Sequence, residues 1–447
     1  MALTGIQIFK LLPKTNCGEC GVPTCLAFAM NLASGKAELD SCPYISDEAR
    51  EKLAEASAPP IREVKIGRGV RRFKIGGETV MFRHEKTFYN PTAIGVLVES
   101  TIEKEVLEKK LKEWNAYQYE RVGLNLRPEL VALKDSDGED AFVSAAEEIA
   151  KKSEFNLILM SQDSKRLASA LKVCGFKRPL LYAAVKENLE QMAELAKEND
   201  LPLAVKGNGI EEVMELTDRL TEMGLKDLVI DSGSRDLNEV FKDQIIIRKA
   251  PLVAQTRSLG FPTITFPCEM ASNLDVETLI TSMLIAKYAG IVILSDFKGE
   301  SLFPLLVERL NIFTDPQRPM TVTQGIYEIG KPDENSPVLV TTNFSLTYFI
   351  ASGEIEASRV PSWLLIMDTE GLSVLTAWAA GKFTGDAVGS FVKKCGIADK
   401  ISHRKVIIPG YAASISGDME EELPDWEVII GPREASLIPK FLKEMYK

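Results

Sequence analysis

The sequence predicts an α/β protein with a small cysteine-rich N-terminal domain, a central TIM (β/α)8 barrel and a C-terminal Rossmann-like α/β domain. Four cysteines lie within the first 42 of the 447 residues. Short apolar runs then alternate with charged amphipathic stretches, which is typical of a parallel sheet covered by helices. A second alternating region follows two Pro-rich polar segments. We therefore place the domains at residues 1–58, 93–314 and 315–447, with a linker and β-hairpin at 59–92.

Composition and charge exclude several classes of protein. The chain has 53 basic and 64 acidic residues and a net charge of −11, which argues against a dedicated nucleic-acid binder. No apolar run approaches the roughly 20 residues that cross a bilayer, and residues 1–12 do not resemble a signal peptide. We expect a cytoplasmic protein that binds neither nucleic acid nor membrane.

The N-terminal cysteines have the spacing of a metal or cluster site. They are Cys17, Cys20, Cys25 and Cys42, in the pattern C-x2-C-x4-C-x16-C, with Pro43 after the last. A [4Fe–4S] cluster needs four thiolates, and Gly18 and Gly21 allow the sharp turns that bring three of them together. The main alternative is a structural zinc site, although most zinc sites use two cysteine pairs and this sequence lacks the second pair. Free thiols are the third alternative.

Two short helices are expected around these cysteines. Thr24 is a suitable N-cap for a helix that ends at Gly35. Ser46 is a suitable N-cap for a second helix, with Asp47 and Glu48 in its first turn.

Residues 61–92 predict a partly exposed hairpin, because basic and apolar residues alternate there. We expect Gly76-Gly77 to form its turn. A solvated hairpin joining two domains is favoured over a basic docking surface.

The central region contains eight apolar runs in about 220 residues, close to the size of a (β/α)8 barrel. The runs are Ile94–Val98, Leu130–Leu133, Leu157–Met160, Leu180–Val185, Leu203–Val205, Leu228–Ile230, Thr263–Phe266 and Ile291–Leu294. A doubly wound open sheet is the alternative. We see no obvious cluster of polar residues at the ends of these strands, and therefore expect the barrel to be a structural and dimerising platform.

The C-terminal region predicts a cofactor seat. Its strands are Val338–Val340, Leu364–Met367, Val406–Ile408 and Val428–Ile430, each followed by a small or polar loop. Ligands of open α/β sheets bind outside the carboxyl ends of the strands, so these four loops form a plausible site.

Several common motifs are absent. Gly381-Lys382 fails the Walker A pattern, and no G-x-G-x-x-G follows a strand. Neither His84 nor His403 has an Asp two residues earlier, so the D-x-H-x-x-G pattern of histidine-ligated corrinoid carriers is missing. We expect the remaining cysteines to be buried structural thiols; they are Cys174, Cys268 and Cys395.

Four segments give the sequence a family resemblance. They are Cys17–Cys42, Val338–Phe349, Asp368–Trp378 and Ile408–Tyr411. Together with the order of the domains, they make the whole chain resemble the large subunit of the corrinoid iron–sulfur protein of the acetyl-CoA (Wood–Ljungdahl) pathway. The archaeal equivalent is the gamma subunit of the acetyl-CoA decarbonylase/synthase complex.

The resemblance implies a methyl-carrier subunit rather than a free-standing enzyme. In that family Co(I) of a cobamide takes a methyl group from methyltetrahydrofolate, through a separate methyltransferase, and donates it to the nickel cluster of acetyl-CoA synthase/CO dehydrogenase. The [4Fe–4S] cluster reactivates Co(II) by reduction. The implied partners are a small barrel-shaped subunit, with which the chain forms a heterodimer, and these two enzymes.

The resemblance also implies where the cofactors bind. The four N-terminal cysteines would hold the [4Fe–4S] cluster. The expected corrinoid-binding residues are Val340, Thr341, Thr342, Asn343, Leu346, Glu370, Gly371, Leu372, Ser373, Val374, Gly410, Tyr411, Gly431, Pro432, Arg433 and Glu434. The lack of a histidine motif is consistent with cobalt that has no histidine ligand.

Two other functions remain open. One is an electron-transfer protein that uses only the iron–sulfur cluster, with the α/β domains as a docking scaffold. The other is a barrel methyltransferase that binds a pterin directly, which we disfavour because we see no polar cluster at the barrel strand ends.

Overall fold

The computed structural model describes residues 5–33, 37, 39–46, 49–50, 53, 59–136 and 138–446. The chain divides into two compact units. The first comprises residues 1–119 and 126–313, and the second comprises residues 120–125 and 314–447.

The first unit begins with helices α1 (Gly5–Leu11) and α2 (Cys25–Ala33), which enclose the cysteine-rich loop. The Thr24 hydroxyl accepts a hydrogen bond from the backbone N–H of Ala27 at 3.1 Å, so the predicted N-cap is confirmed. The predicted end of this helix, at Gly35, lies outside the described residues.

The second predicted helix is described only in part. The Ser46 hydroxyl accepts a hydrogen bond from the backbone N–H of Ala49 at 3.2 Å, as an N-cap does. The predicted first-turn residues, Asp47 and Glu48, lie outside the described residues.

Strands β1 (Glu63–Ile66) and β2 (Phe73–Gly76) form the predicted hairpin, but the predicted turn is wrong. Gly76 ends β2, and residues 67–72 connect the strands. A side chain on Gly76 would meet the carbonyl oxygen of Arg62, so this glycine is needed for close strand approach. The hairpin is also more than a solvated connector, because one of its faces packs inside the barrel. The fully buried residues of that face are Val64, Ile66 and Ile75.

Eight parallel strands form a nearly closed barrel, which confirms the TIM-type architecture over the open sheet. The strands are β3 (Ala93–Glu99), β6 (Leu130–Lys134), β7 (Asn156–Met160), β8 (Leu180–Ala184), β9 (Leu203–Lys206), β10 (Leu228–Asp231), β11 (Ile264–Thr265) and β12 (Ile291–Leu294). β10 and β11 meet through a single bridge, between Ile230 and Thr263. All eight predicted strands are therefore present.

The barrel helices follow the strands along the chain. They are α3 (Lys104–Asn115), α4 (Glu139–Lys152), α5 (Ser164–Cys174), α6 (Leu189–Glu198), α7 (Ile210–Glu222), α8 (Leu237–Lys249), α9 (Leu274–Ala286) and α10 (Gly299–Phe313). Side chains along most of the strands alternate between two apolar clusters, one beneath the helices and one inside the barrel. Both faces of the strands are therefore buried, which explains their continuous apolar runs.

The second unit contains a five-stranded sheet. Its strands are β13 (Gly325–Ile329), β14 (Val338–Thr342), β15 (Ser362–Met367), β16 (Lys405–Ile408) and β17 (Glu427–Ile430), in the spatial order 13-15-14-16-17. β14 to β17 are parallel, and the four predicted strands are present. β13 is an antiparallel edge strand that the sequence analysis did not predict. The parallel part has the order 2-1-3-4, an order that is also found in doubly wound sheets.

Helices and a small hairpin complete this unit. The helices are α11 (Ser345–Ser358), α12 (Val374–Ala379), α13 (Gly385–Lys394), α14 (Ser416–Glu422) and α15 (Ile438–Met445). β4 (Tyr119–Arg121) and β5 (Leu124–Leu126) form the hairpin, whose Gly123 lies against Phe349. Within the described part of the whole chain, no helix is long and apolar enough to cross a bilayer.

Candidate cofactor sites

A cavity of about 250 Å³ opens at the carboxyl edge of the sheet in the second unit. It lies at the ends of β14, β16 and β17. The chain winds in opposite directions from β14, to β15 on one side and to β16 on the other, so the cavity occupies the topological switch point. Cofactors of doubly wound sheets bind at this place, because two loops diverge there and leave a crevice.

Seven of the predicted corrinoid-binding residues line the cavity. They are Val340, Thr341, Val374, Tyr411, Gly431, Pro432 and Arg433. The sequence analysis missed the contributions of two helices, α11 and α15. From α11 come Thr347, Ile350 and Ala351, and from the start of α15 comes Ile438. The spacing of the α11 residues puts them on one helical face.

Asn343, predicted as a cofactor ligand, holds two loops together instead. Its amide nitrogen donates to the carboxylate of Asp368 at 2.8 Å. Its amide oxygen accepts from the backbone N–H groups of Thr369 and Gly371, each at 3.0 Å. The loops after β14 and β15 are thereby fixed against each other. Asn343 is 4% exposed, so these contacts occupy a side chain that has little access to a ligand.

The other predicted residues of the β15 loop mostly shape it. Glu370 forms an ion pair with Lys382, and Leu372 packs against the core of the unit. The Ser373 hydroxyl hydrogen-bonds the Thr376 hydroxyl at 3.1 Å at the start of α12. Gly371 has a φ of 76°, which favours glycine, and a side chain there would meet Thr321.

Thr342 is the one predicted residue with an unsatisfied buried group. Its hydroxyl oxygen has no hydrogen-bond partner in the described structure, and the residue is fully buried at the end of β14. Buried polar atoms are usually paired, so an orphaned hydroxyl marks a place where a further group is expected.

Large exposed apolar side chains lie on the segments that line the cavity, and we call them the apolar rim. Its large side chains are 42–50% exposed; they are Leu346, Ile350, Leu375, Trp378, Tyr411 and Leu437. Isolated exposed apolar residues are ordinary, but several of them on the segments that line one cavity are typical of a surface that a ligand or partner covers.

The loops after β16 and β17 approach closely at Gly410. Its backbone N–H donates to the carbonyl of Pro432 at 3.0 Å. A side chain on Gly410 would lie 2.6 Å from the carbonyl oxygen of Gly431 and 2.8 Å from the backbone nitrogen of Arg433. The neighbouring Tyr411 hydroxyl donates to Glu434 at 2.7 Å, and this hydrogen bond raises the pKa of Tyr411.

Gly410→Ala is therefore expected to destabilise the second unit by about 1–3 kcal/mol, because its new methyl group meets backbone atoms that cannot move aside. Chemical denaturation measures this change. Gly417→Ala is the control, because Gly417 lies in helix α14 with nothing within 4 Å of its added methyl group. That variant is expected to be neutral or slightly stabilising. Equal stability of the two variants would contradict the close approach.

The N-terminal cysteine loop is tightly folded. Gly18 and Gly21 have φ angles of 78° and 81°, and the Gly21 N–H donates to the Gly18 carbonyl at 3.0 Å. The Asn16 side chain accepts from the backbone N–H of Cys25 at 2.8 Å, which ties the loop to the start of α2. The glycines thus make the turns that the sequence predicts for them.

Three of the four predicted ligands pack together. Cys25 and Cys42 are buried in the N-terminal apolar cluster, Cys20 packs against it, and Cys17 is exposed. The Tyr44 hydroxyl donates to Glu19 at 2.8 Å, which raises the pKa of Tyr44.

The described residues contain no group of three Cys, His, Asp or Glu side chains already arranged to hold a metal ion. The donor set nevertheless suits an iron–sulfur cluster better than a lone ion. Four thiols within one small apolar domain are soft ligands, which suit an iron–sulfur cluster.

The other three cysteines differ in burial. Cys174 is fully buried, as predicted, and burial raises its pKa to about 12. Cys268 and Cys395 are only partly buried, and burial also raises their pKa values, that of Cys268 to about 12. All three are therefore protonated thiols at neutral pH.

The barrel mouth contradicts the expectation that the strand ends lack polar residues. Inward-facing ionisable residues end four of the strands; they are Glu99, Lys134, Lys206 and Asp231. They follow apolar runs directly in the sequence, which is the signal by which they could have been predicted. Two of them, Lys134 and Lys206, line a cavity of about 510 Å³ together with residues of the following loops.

Comparison with known proteins identifies the family. Residues 63–442 match the family described as CO dehydrogenase/acetyl-CoA synthase delta subunit, and residues 12–44 match one described as putative Fe-S cluster. The chain is 47% identical over 444 residues to the corrinoid/iron-sulfur protein large subunit of Moorella thermoacetica, covering 99% of both chains. The chain belongs to this corrinoid/iron-sulfur protein large subunit family. The resemblance inferred from four sequence segments is confirmed.

The family extends to archaeal proteins. The acetyl-CoA decarbonylase/synthase complex subunit gamma of Methanopyrus kandleri is 38% identical over 455 residues, covering 99% of this chain and 98% of that one. The Methanothermobacter thermautotrophicus subunit gamma is 35% identical over 458 residues, covering 100% of this chain and 99% of that one. The putative Fe-S segment of the family contains all four predicted cysteines.

Proposed function

We propose that this chain is the corrinoid- and cluster-bearing subunit of a methyl carrier in acetyl-CoA synthesis, rather than a free-standing enzyme. When bound, the cobamide would accept a methyl group from methyltetrahydrofolate on Co(I), through a methyltransferase, and donate it to the nickel cluster of acetyl-CoA synthase/CO dehydrogenase. The observation that carries the proposal is the cavity with its apolar rim at the switch point of the second unit, in a chain of this family.

The residues around this cavity suit a large macrocycle. Gly431 and Pro432 present backbone to the cavity without bulky side chains. Four of the six rim residues do not line the cavity itself, so the rim adds exposed apolar surface outside it. We infer that the Rossmann-like second unit holds the corrinoid against this rim, and that the partner covering it is the small subunit of the heterodimer.

The cavity offers no imidazole to cobalt. The two histidines of the sequence, His84 and His403, are both described, and neither lines it. His403 instead hydrogen-bonds the carbonyl of Ser336 at 3.0 Å. If a cobamide binds here, the residues that line the cavity would contribute binding and orientation rather than a histidine ligand.

The cysteine domain is proposed to bind a [4Fe–4S] cluster through Cys17, Cys20, Cys25 and Cys42. The apolar packing of three of these residues keeps water away from the sulfurs, and exposed Cys17 lies at the surface, where electrons can enter. The cluster would restore cobalt that has oxidised to Co(II). We expect this chemistry in the cytoplasm.

A methyl-transfer assay tests the proposal. The cobamide-loaded heterodimer, reduced anaerobically and mixed with labelled methyltetrahydrofolate and methyltransferase, should retain one labelled methyl per cobalt. The label should then pass to acetyl-CoA when acetyl-CoA synthase/CO dehydrogenase, CO and coenzyme A are added. If the protein binds iron but never retains label, it is an electron-transfer protein instead.

A further inference from the structure

The mouth of the barrel contains a cavity of about 510 Å³ that the proposed carrier function does not use. It lies above the carboxyl ends of the barrel strands, where TIM barrels build their binding sites. The opposite end of the barrel is filled by the β1–β2 hairpin. Its buried side chains pack with Ala93, Leu130 and Ile291, the first inward-facing residues of their strands. A ligand can therefore enter only from the mouth.

The floor of the cavity is apolar and aromatic. Met160 and Tyr182 line it and belong to the apolar cluster inside the barrel, together with Phe266. The Tyr182 and Phe266 rings are 5.2 Å apart in an edge-to-face arrangement. Such a floor favours a planar organic body rather than a hydrated inorganic ion.

One wall is a fixed network of charged groups. The Tyr182 hydroxyl donates to Asp231 at 2.6 Å, and Arg235 donates to both oxygens of Asp231 at 3.1 and 3.0 Å. Arg235 also pairs with Glu269 and lies 4.6 Å above the Phe266 ring. Asp231 is 2% exposed, so its charge is balanced within the protein.

The opposite wall is built in the same way. Arg166 donates to both oxygens of Asp135 at 3.1 and 3.0 Å, and the Ser161 hydroxyl donates to Asp135 at 2.8 Å. Lys134 pairs with Glu99 at 3.4 Å. These pairs hold the donors and acceptors of both walls in place before a ligand arrives, which lowers the entropic cost of binding.

Lys206 is the exception among the cations that line the cavity. It is half-buried at the end of β9, and in the described part of the chain its ammonium has neither an ion-pair nor a hydrogen-bond partner. The neighbouring Asp231, opposite it in the sheet register, is already committed to Tyr182 and Arg235. A partly desolvated ammonium facing a cavity attracts an anion.

We propose that the barrel mouth binds a small planar organic anion, whose carboxylate or phosphate pairs with Lys206 and whose body lies over Met160 and Tyr182. The polar walls supply hydrogen bonds to the edges of that body. This site is separate from the corrinoid cavity and does not depend on the proposed methyl-carrier function.

Binding is tested by calorimetry on the full-length chain, purified with the subunit that accompanies it. The probes are folic acid and orotate, which carry carboxylates, and adenosine monophosphate, which carries a phosphate. We expect at least one probe to bind with a dissociation constant below 1 mM, a conservative threshold for a specific small-molecule site. Comparing the affinities of the two carboxylate probes with that of the phosphate probe shows whether the site prefers a carboxylate or a phosphate.

Lys206→Met and Lys226→Met are the matched variants. Lys226 is exposed and precedes β10 at the opposite end of the barrel. Because Lys206→Met leaves no carboxylate without its partner, the variant should fold normally. Its thermal unfolding midpoint, compared with that of the unmodified protein, checks this. It should weaken binding of the probe at least tenfold, whereas Lys226→Met should not. Failure of all three probes to bind, or equal affinity in both variants, would overturn the proposal.

Discussion

Replacing Ala351 by tryptophan is expected to remove corrinoid from the purified protein. Ala351 faces the cavity of the second unit from α11, beside Ile350. A tryptophan side chain there occupies much of the 250 Å³ that the proposed cofactor site offers. Cobalt content after anaerobic purification with the small subunit and cobamide should fall from about one per heterodimer to near zero. Iron content should not change, because the cysteine domain belongs to the other unit.

The same substitution at Ala357 is the control. Ala357 is exposed on the same helix, two turns beyond the cavity. Since overpacking costs about 1–3 kcal/mol, the stability of both variants is compared as well. Ile350→Glu provides a second variant, because Ile350 is 46% exposed and a charge there opposes an apolar ligand without disturbing the core. Normal cobalt content in both cavity variants would show that the corrinoid binds elsewhere.

Cys42→Ser is expected to separate the two proposed cofactor functions. Cys42 is 3% exposed in the N-terminal apolar cluster, and a serine hydroxyl is a poor ligand for iron. The variant should lose most of its iron and the absorbance of an iron–sulfur cluster. Reductive reactivation of oxidised protein should fall to the background rate. Methyl transfer by chemically reduced protein should remain, because the corrinoid site is intact.

Cys395→Ser is the matched control for this substitution. Cys395 is partly buried in the second unit, and its sulfur contacts the carbonyl of Val392 at 3.4 Å. A serine there keeps a hydrogen-bond donor, so iron content and reactivation should match those of the unmodified protein. A Cys42 variant with full iron content, or one that is reactivated normally, would contradict the assignment of Cys42 as a cluster ligand.

The barrel was predictable because its strands are buried on both faces. Runs such as Ile291–Leu294 are continuous and apolar, and a parallel sheet under helices is the simplest structure that buries them. The edge strand β13 escaped prediction because only one neighbour pairs with it and its residues are half-buried. Its sequence, Gly-Ile-Tyr-Glu-Ile, carries less apolar pattern than the central strands.

The hairpin turn shows a limit of local rules. Gly76-Gly77 resembles a turn in sequence, but Gly76 is required within β2 by the nearby Arg62 carbonyl. This contact joins Gly76 to a residue 14 positions earlier, just before β1, so the pair cannot be judged from its own sequence. The sequence therefore indicated a hairpin correctly and misplaced its turn.

The candidate corrinoid site was predictable at the level of loops. The rule that ligands bind at the carboxyl ends of parallel strands selected Thr341, Tyr411 and Gly431, which line the cavity. The contribution of α11 was missed because helix packing decides which face meets the cavity. The available indication that α11 contributes was that it has apolar residues on more than one face, including Ile350. The structural role of Asn343 depends on contacts across 25 to 28 residues, which no local pattern shows.

The central claim is that one heterodimer carries both a corrinoid and an iron–sulfur cluster. Metal analysis with UV–visible and EPR spectra, before and after reduction of anaerobically purified protein, tests it most directly. We expect about one cobalt and four iron per heterodimer, with a Co(II) signal that lacks coupling to a nitrogen ligand. Iron without cobalt, even after reconstitution with cobamide and the small subunit, would contradict the methyl-carrier account.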